Sequence, residues 1–280
     1  MSPERGAPPE KRVTSILRRL TQHYPNATIA LDFSTPLECV VATVLSAQST
    51  DAMVNEVTKS LFQKYRRPED YLAVPEEELQ EDIHATGFFR QKTRALRGMS
   101  QKLIDDYDGE VPKTIAELIT LPGVARKTAN IVQANLWPDV QKRDPDAGIA
   151  VDTHVGRVAV RLDLTRHGPK EAVKIEQDLM TVVPQRDWPL VTNLFIEHGR
   201  RICDAKKPQC GDCVVESLCP SSQEAGLTDL YRAVRPKKSA GSKNSARSKN
   251  SARSKDPEGS KDPEGSKNPA RRKKSSRGGK

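Results

Sequence analysis

The sequence predicts an all-α fold. No segment of the 280-residue chain alternates apolar and polar residues for long enough to indicate a β-strand. Apolar residues recur instead at helical spacing, as at Val13, Ile16 and Leu20, and helix-start signals precede several of these runs. Aromatic residues make up only 4% of the chain, which favours a helical core over a β-sandwich.

The first 106 residues are predicted to hold a disordered start and six helices. Residues 1–9 are polar and rich in proline, so we expect them to be disordered. Thr35 and Glu38 form a capping box around a first-turn proline, and the apolar run behind them indicates a buried helix with Cys39 in the core. The six predicted helices span residues 10–23, 37–45, 54–61, 68–72, 75–83 and 92–106.

Two interruptions separate these helices. Residues 46–51 are short and polar, which indicates either a loop that a ligand approaches closely or a plain connection. Gly87 and the aromatics Phe88 and Phe89 precede the long helix. The two aromatics form either a staple between helices or an exposed wedge, and the sequence alone favours the staple.

The stretch 119–130 predicts a hairpin between two helices, the first opened by a capping box at Thr114 and Glu117. Gly123 can adopt a positive φ, and the amides of Gly123, Val124 and Ala125 are expected to be free at the mouth of the next helix. Such a helix end attracts an anion, for example a nucleic-acid phosphate. Taken by itself, the pattern favours a plain turn between helices with a charged helix start.

Lys127 lies in the first two turns of the helix that follows this hairpin, which is predicted over residues 128–136. The positive end of the helix dipole disfavours an ammonium there, and a neutral amine beside a phosphate site is a nucleophile. Residues 138–148 are polar with two prolines and predict a loop. Asp152 is then expected to be the N-cap of a helix over 153–162, with two more helices at 170–182 and 188–202.

Four of the five cysteines fall within 17 residues with the spacing C-x6-C-x2-C-x5-C. Disulfides are not expected in a cytosolic chain, so the four thiolates predict a metal or cluster site. Structural zinc prefers two paired C-x2–4-C elbows, whereas uneven spacing around one C-x2-C suits an iron–sulfur cluster. The predicted ligands are Cys203, Cys210, Cys213 and Cys219. The loop between them also presents Lys206 and Lys207, either for phosphate contact or as solvated side chains.

The positive charge of the chain is concentrated at its C-terminus. The chain carries +9 in total, of which residues 236–280 contribute +11, so residues 1–235 carry −2. Global charge therefore does not by itself indicate a nucleic-acid binder. Residues 243–266 repeat the hexapeptides KNSARS and KDPEGS twice each, and the segment 223–280 is predicted to be a disordered basic tail.

No apolar run approaches the roughly 18 residues that a membrane span needs, and the N-terminus lacks the apolar part of a secretory signal. We therefore expect a cytoplasmic protein without a membrane partner, associated with the nucleoid if it is bacterial.

Residues 121–129, residues 149–155 and the four-cysteine loop, taken together, resemble the endonuclease III family of DNA glycosylases in the helix-hairpin-helix superfamily. The resemblance covers roughly residues 10–222. It implies a two-lobed, all-α fold: a helical barrel with the hairpin at 29–146, and a [4Fe–4S] cluster domain made of 10–28 and 147–222. It further implies a monomeric base excision repair enzyme that acts on double-stranded DNA containing a damaged base or an abasic site.

The resemblance implies a bifunctional DNA glycosylase and abasic-site lyase for oxidised pyrimidines of the thymine-glycol type. Lys127 matches the nucleophile and Asp152 the catalytic carboxylate, while Asp51 and His154 match pocket residues. Gln48 would fill the space left by the flipped nucleotide. The residues assigned to DNA contact are Gln48, Phe88, Leu121, Gly123, Val124, Ala125, Arg126, Lys206 and Lys207.

Three features depart from the family pattern. Ala125 stands where the family commonly has glycine, Phe88 stands where it has an aliphatic wedge, and residues 138–148 resemble an insertion at the cleft rim. Two alternatives stay open at this point: an adenine-removing mismatch glycosylase of the same superfamily, and a non-catalytic hairpin module that only binds DNA. The first alternative shares the carboxylate but lacks the hairpin lysine, so Lys127 argues against it, whereas the presence of both Lys127 and Asp152 argues against the second.

Overall fold

The computed structural model describes residues 4–234. Within this range it contains helices and no β-strand, which confirms the all-α prediction. The α-helices are α1 (Pro9–His23), α2 (Pro36–Leu45), α3 (Asp51–Lys64), α4 (Pro68–Ala73), α5 (Glu76–Asp82), α6 (Phe89–Tyr107), α7 (Ile115–Leu118), α8 (Arg126–Leu136), α9 (Pro138–Gln141), α10 (Thr153–Arg161), α11 (Ala172–Val182), α12 (Trp188–Arg201) and α13 (Leu230–Val234).

Helix α8 connects two groups of helices. On one side it packs against α2, an apolar helix of which eight residues out of ten are buried and which also contacts α3 and α6. On the other side α8 contacts α12, which packs against α1 and α10. The first residues of α8, Lys127 among them, are thereby held between the two groups. The division into the domains 29–146 and 10–28 plus 147–222 stays a prediction.

The helix starts that were predicted from a capping side chain are confirmed. Thr35 with Glu38 and Thr114 with Glu117 form the expected capping boxes, and the side chain of Asp152 caps α10. Cys39 is fully buried as expected, and burial raises the pKa of its thiol to about 12.

Helix α6 begins three residues earlier than predicted, because Phe88 takes a left-handed conformation (φ 49°) and serves as its N-cap. The side chains of Phe88 and Phe89 lie in different environments. Phe89 packs on His84 with ring centroids 4.5 Å apart, which fits the predicted staple. The staple prediction is wrong for Phe88, whose side chain is 58% exposed.

The prediction of a plain polar loop at 138–148 is wrong. The segment begins with the short helix α9, and Gln141, Asp144 and Ala147 are buried. The carboxylate of Asp144 accepts hydrogen bonds from the Ile115 amide at 2.8 Å and from the Gln133 amide group at 2.5 Å. Because Ile115 begins α7 and Gln133 lies in α8, this insertion ties together the two helices of the hairpin.

Replacing Asp144 by asparagine is expected to lower the free energy of unfolding by about 1–3 kcal/mol at neutral pH. Burial alone raises the pKa of this carboxyl, but the hydrogen bonds from Ile115, Gln133 and the Asp146 amide outweigh it and lower the pKa. The stability that a lowered folded-state pKa provides is present above the unfolded-state pKa of about 3.9 and is lost as the pH falls through the folded-state value. Urea unfolding of the unmodified protein and of Asp144→Asn, from about pH 7 to about pH 3, measures the two free energies of unfolding. The prediction is contradicted if the difference between them does not become smaller in acid.

The structure describes part of each terminal segment that was predicted to be disordered. At the N-terminus, Arg5 forms an ion pair with Glu216 at 2.6 Å. At the C-terminus the structure continues through residue 234, where the tail was predicted to begin at residue 223. The reason is a buried ion pair between Asp229 and Arg161 at 2.9 Å, followed by α13 with Tyr231 buried. The repeats predicted at 243–266 lie outside the described residues.

Among residues 4–234, no helix is both long enough and apolar enough to cross a membrane.

Candidate active site

The hairpin between α7 and α8 is a tight turn around Gly123, which has φ 83°. A methyl group at this position would lie 2.7 Å from the Ala95 side chain of α6, so both the conformation and the space require glycine. The amide of Val124 closes the turn by donating to the Leu121 carbonyl at 3.0 Å. The prediction that the Val124 amide is free is therefore wrong.

The amides of Gly123 and Ala125 have no hydrogen-bond partner in the described part of the chain. Ala125 is the N-cap of α8 and has φ −82°, so alanine fits without strain where the family commonly has glycine. No side chain caps this helix end. The amides of the first turn of α8 therefore join these two as donors available to an anion. The side chains of Leu121 and Val124 are buried, so only their backbone atoms can reach a ligand.

Lys127 and Asp152 line one open cavity, whose empty space is about 900 Å³ including the part open to solvent. Lys127 is exposed, and its ammonium makes no hydrogen bond or ion pair with any residue in 4–234. Asp152 uses Oδ1 to accept from the amides of His154 at 2.8 Å and Val155 at 2.7 Å, while Oδ2 accepts nothing from the described residues. One oxygen thus holds the carboxylate on the helix, and the other is left for a ligand.

Asp51 lines the same cavity and forms an ion pair with Arg200 at 2.7 Å. The pair joins the start of α3 to α12, and both side chains line the cavity. Arg200 lines the cavity as well and was missed by the sequence reasoning. The adjoining cations Arg200 and Arg201 in an amphipathic helix were the only signal, and such a pair is usually a solvated face.

His154 lies beside the cavity without lining it. Its Nδ1 is 3.0 Å from Nη2 of Arg157, and burial is the main cause that lowers the pKa of this imidazole. Arg157 also donates to the carbonyls of Gly199 at 2.8 Å and Cys203 at 2.9 Å. His154 is therefore part of a chain of contacts that leads from the Asp152 helix to the first cysteine.

Gln48 and Phe88 line a second cavity, of about 500 Å³, together with Gly123. Both are exposed, and both have positive φ, 55° and 49°. A left-handed conformation is uncommon for residues other than glycine and carries strain that clusters at functional sites. The structure therefore brings the three predicted contact loops, 46–51, 86–88 and the hairpin, to one surface.

Arg126 is engaged within the protein. Its Nε lies 3.1 Å from Oε1 of Glu176, and its Nη1 donates to the Asp146 carbonyl at 2.9 Å. Asn130 donates to the same Glu176 oxygen and accepts from the amide of Gly148. A methyl group at Gly148 would lie 2.0 Å from the Glu176 carboxylate, so this network closes tightly around the end of the insertion.

The four cysteines of the C-terminal loop line one cavity of about 380 Å³. Burial is the largest cause that raises the pKa of the Cys213 and Cys219 thiols to about 12. Within residues 4–234, no three His, Cys, Asp or Glu side chains are arranged to share a single metal ion. Four soft thiol donors around one cavity suit a metal or cluster site.

Arg161 orders the first turn of this cysteine loop. Its guanidinium donates to the carbonyls of Cys203, Asp204 and Ala205 and lies 3.4 Å from the Cys203 sulfur. Asp229 holds the same guanidinium with both carboxylate oxygens. Lys206 and Lys207 are exposed on the far side of the loop, where Asp204 accepts from their two amides.

Comparison with known proteins identifies the family. The model of HhH-GPD superfamily base excision DNA repair proteins matches residues 41–185. The endonuclease III of Synechocystis sp. is 46% identical over 214 residues, which are 76% of this chain and 94% of that protein. The endonuclease III of Bacillus subtilis is 46% identical over 223 residues, 79% of this chain and 98% of the relative. The chain belongs to the endonuclease III family.

A solved structure agrees with this assignment. It is described as a trapped endonuclease III–DNA covalent intermediate, is 41% identical, and aligns with a TM-score of 0.68 over 78% of this chain and 98% of that one. The helix-hairpin-helix glycosylase fold predicted from residues 121–129, 149–155 and the cysteines is confirmed. So is the predicted class of enzyme, a base excision repair DNA glycosylase and abasic-site lyase. The roles of individual residues stay predictions.

Proposed function

We propose that this endonuclease III family member removes oxidised pyrimidines from duplex DNA and cuts the strand 3′ to the resulting abasic site, with Lys127 as nucleophile. The observation that carries the proposal is the shared cavity of Lys127 and Asp152 beside an uncapped helix start. A glycosidic carbon is unreachable while its base is stacked, so the damaged nucleotide has to be extruded into this cavity.

The proposed reaction begins when the Lys127 amine attacks C1′ of the deoxyribose. The new C–N bond replaces the glycosidic bond, and the base leaves with the bonding electron pair and takes up a proton from water. The Oδ2 atom of Asp152 stabilises the positive charge that develops on the sugar and accepts the proton released by the amine. The sugar ring opens to a Schiff base, C2′ then loses a proton, and the C3′–O bond breaks by β-elimination.

The DNA backbone is proposed to bind at the hairpin and at the cysteine loop. The amides of Gly123 and Ala125 and those of the first turn of α8 offer donors for a phosphate. Lys206 and Lys207 supply exposed cations on a loop that Asp204 orders. Gln48 and Phe88 are the two exposed side chains placed to enter the duplex, and Asp51 with Arg200 closes the far wall of the pocket.

A [4Fe–4S] cluster is proposed to bind to Cys203, Cys210, Cys213 and Cys219. The positive charge of the iron would keep these buried thiols ionised, and the bound cluster would fix a loop that has little apolar core of its own. Action as a monomer on damaged double-stranded DNA completes the proposal.

Borohydride trapping tests the function. Reduction of a Schiff base gives a stable amine, so the full-length protein should form a covalent complex with duplexes that contain thymine glycol or an abasic site. An undamaged duplex of the same sequence serves as control and should give no complex. If neither damaged duplex forms a covalent complex, the proposal is overturned. Release of adenine from a mismatched duplex without trapping would favour the mismatch glycosylase.

A further inference from the structure

We infer that Lys92 is a positioning residue that fixes the loops of Gln48 and Phe88 relative to each other for entry into DNA. Its ammonium donates to the carbonyl of Leu45 at 2.8 Å and to that of Thr86 at 2.8 Å. Leu45 lies three residues before Gln48, and Thr86 lies two residues before Phe88. This inference rests on the proposed function, since it assumes that both loops engage the duplex.

Lys92 is a buried cation without an acidic partner. It is 4% exposed, and burial lowers the pKa of its ammonium with no carboxylate among the causes. Its two acceptors are the last carbonyls of α2 and of the 3-10 helix His84–Thr86. Carbonyls at a helix end lack internal partners and carry the negative end of the dipole, so they can stabilise a cation. Burying a charged ammonium costs free energy, so the burial of Lys92 indicates a role other than filling space.

The two loops that Lys92 joins are the ones with strained tips. Gln48 and Phe88 both have positive φ, and both side chains are exposed at the cavity that Lys92 itself lines. Strain of this kind persists only where the surroundings hold it. The two bonds from one ammonium connect the residues that precede the two loops, whereas Gln48 and Phe88 are 40 residues apart along the chain.

The same face of α6 also positions the hairpin. Ala95, one turn beyond Lys92, would be 2.7 Å from a methyl group at Gly123, and Gly98 lies against Pro122. Lys92, Ala95 and Gly98 recur every three residues and therefore share one side of the helix. One helix thus fixes the relative positions of three loops that are proposed to contact DNA, and Lys92 is the residue of this face that does so through hydrogen bonds.

The test separates extrusion of the damaged nucleotide from the chemistry at Lys127. Lys92→Met removes the donors, and two reactions are measured under single-turnover conditions: release of thymine glycol from a duplex, and strand cleavage at an abasic site in single-stranded DNA. The second reaction needs no base to be displaced. Trapping on single-stranded abasic DNA also counts the competent molecules, so partial unfolding does not enter the rates.

The duplex reaction of Lys92→Met is expected to slow on the order of ten- to a hundredfold, as a small misplacement can produce, with the single-strand reaction nearly unchanged. Lys92→Arg, which keeps a cation and several donors, should recover part of the loss. Lys102→Met on the same helix is the control, because Lys102 is at the surface, paired with Asp106. If Lys92→Met yields no competent molecules, Lys92→Gln takes its place.

A double-mutant cycle decides whether Lys92 acts through the two loops. In a protein that already carries Gln48→Ala and Phe88→Ala, Lys92 has no loop side chains left to position. Lys92→Met should then slow the duplex reaction by no more than about twofold, which is about the error of such a cycle. An equal loss on both DNA substrates, or a full loss in the Gln48→Ala and Phe88→Ala background, overturns the inference. Absence of trapping by the unmodified protein would instead overturn the proposed function.

Discussion

Replacing Lys127 by alanine is expected to abolish borohydride trapping and to slow base release and strand cleavage at least on the order of a thousandfold. The amine is the only group in the proposal that forms the covalent intermediate, so no neighbour can replace it. Arg126, the adjoining cation, is held by Glu176 and by the Asp146 carbonyl. Its guanidinium also stays protonated and cannot act as a nucleophile.

The loss should be chemical and not structural. Lys127 is exposed and makes no hydrogen bond or ion pair within residues 4–234, so its removal should change the free energy of unfolding by less than about 0.5 kcal/mol. Lys113→Ala, another exposed lysine near the hairpin, is the matched control and should trap at full yield. Single-turnover assays on thymine-glycol duplex give the rates, and urea unfolding gives the stability. Full trapping by Lys127→Ala would refute the assigned nucleophile.

Features set by neighbouring residues could be predicted from the sequence. The capping boxes at Thr35 and Thr114 and the N-cap Asp152 lie where local rules place them, because a cap needs only residues within one turn. The hairpin glycine was predicted for the same reason: its positive φ is a property of the turn itself. The order of Lys127, Asp152 and the cysteines along the chain then indicated the family.

Features set by distant partners could not be predicted. Arg200 is held at the pocket by an ion pair with Asp51, which is 149 residues away along the chain. The insertion 138–148 reads as polar, yet Asp144 is buried because Ile115 and Gln133 supply its hydrogen bonds. The Val124 amide was assigned to the ligand because the local pattern does not reveal that the Leu121 carbonyl accepts it.

The segment 223–234 illustrates the same limit most clearly. It was predicted to belong to the disordered tail, whose low-complexity repeats begin further along the chain, although six of its twelve residues are apolar. The segment is nevertheless ordered, because Asp229 pairs with the buried guanidinium of Arg161. The ring centroid of Tyr231 lies 5.4 Å from the central carbon of the same guanidinium. The available signal was Arg161 itself: a cation at the end of an apolar helix needs a partner, although the sequence does not identify which one.

Replacing Asp229 by alanine is therefore expected to lower the free energy of unfolding by about 3–5 kcal/mol, the usual cost of leaving one member of a buried ion pair alone. The side chains of Arg161 and Asp229 are 3% and 6% exposed, and both carboxylate oxygens accept from the guanidinium. The uncompensated Arg161 also contacts the carbonyls of Cys203, Asp204 and Ala205. The damage should consequently reach the cysteine loop and reduce the bound iron and sulfide.

Asp139→Ala separates this effect from the loss of any aspartate, because Asp139 pairs with Lys142 at the surface, where an ion pair contributes about 0–1 kcal/mol. Urea unfolding and iron and sulfide analysis of anaerobically purified protein measure both variants. A double replacement, Arg161→Met with Asp229→Leu, should recover part of the stability, because it removes both buried charges but also removes the donor to the carbonyls of the cysteine loop. Equal effects of Asp229→Ala and Asp139→Ala on stability and iron content would mean that the buried pair does not support the cysteine loop.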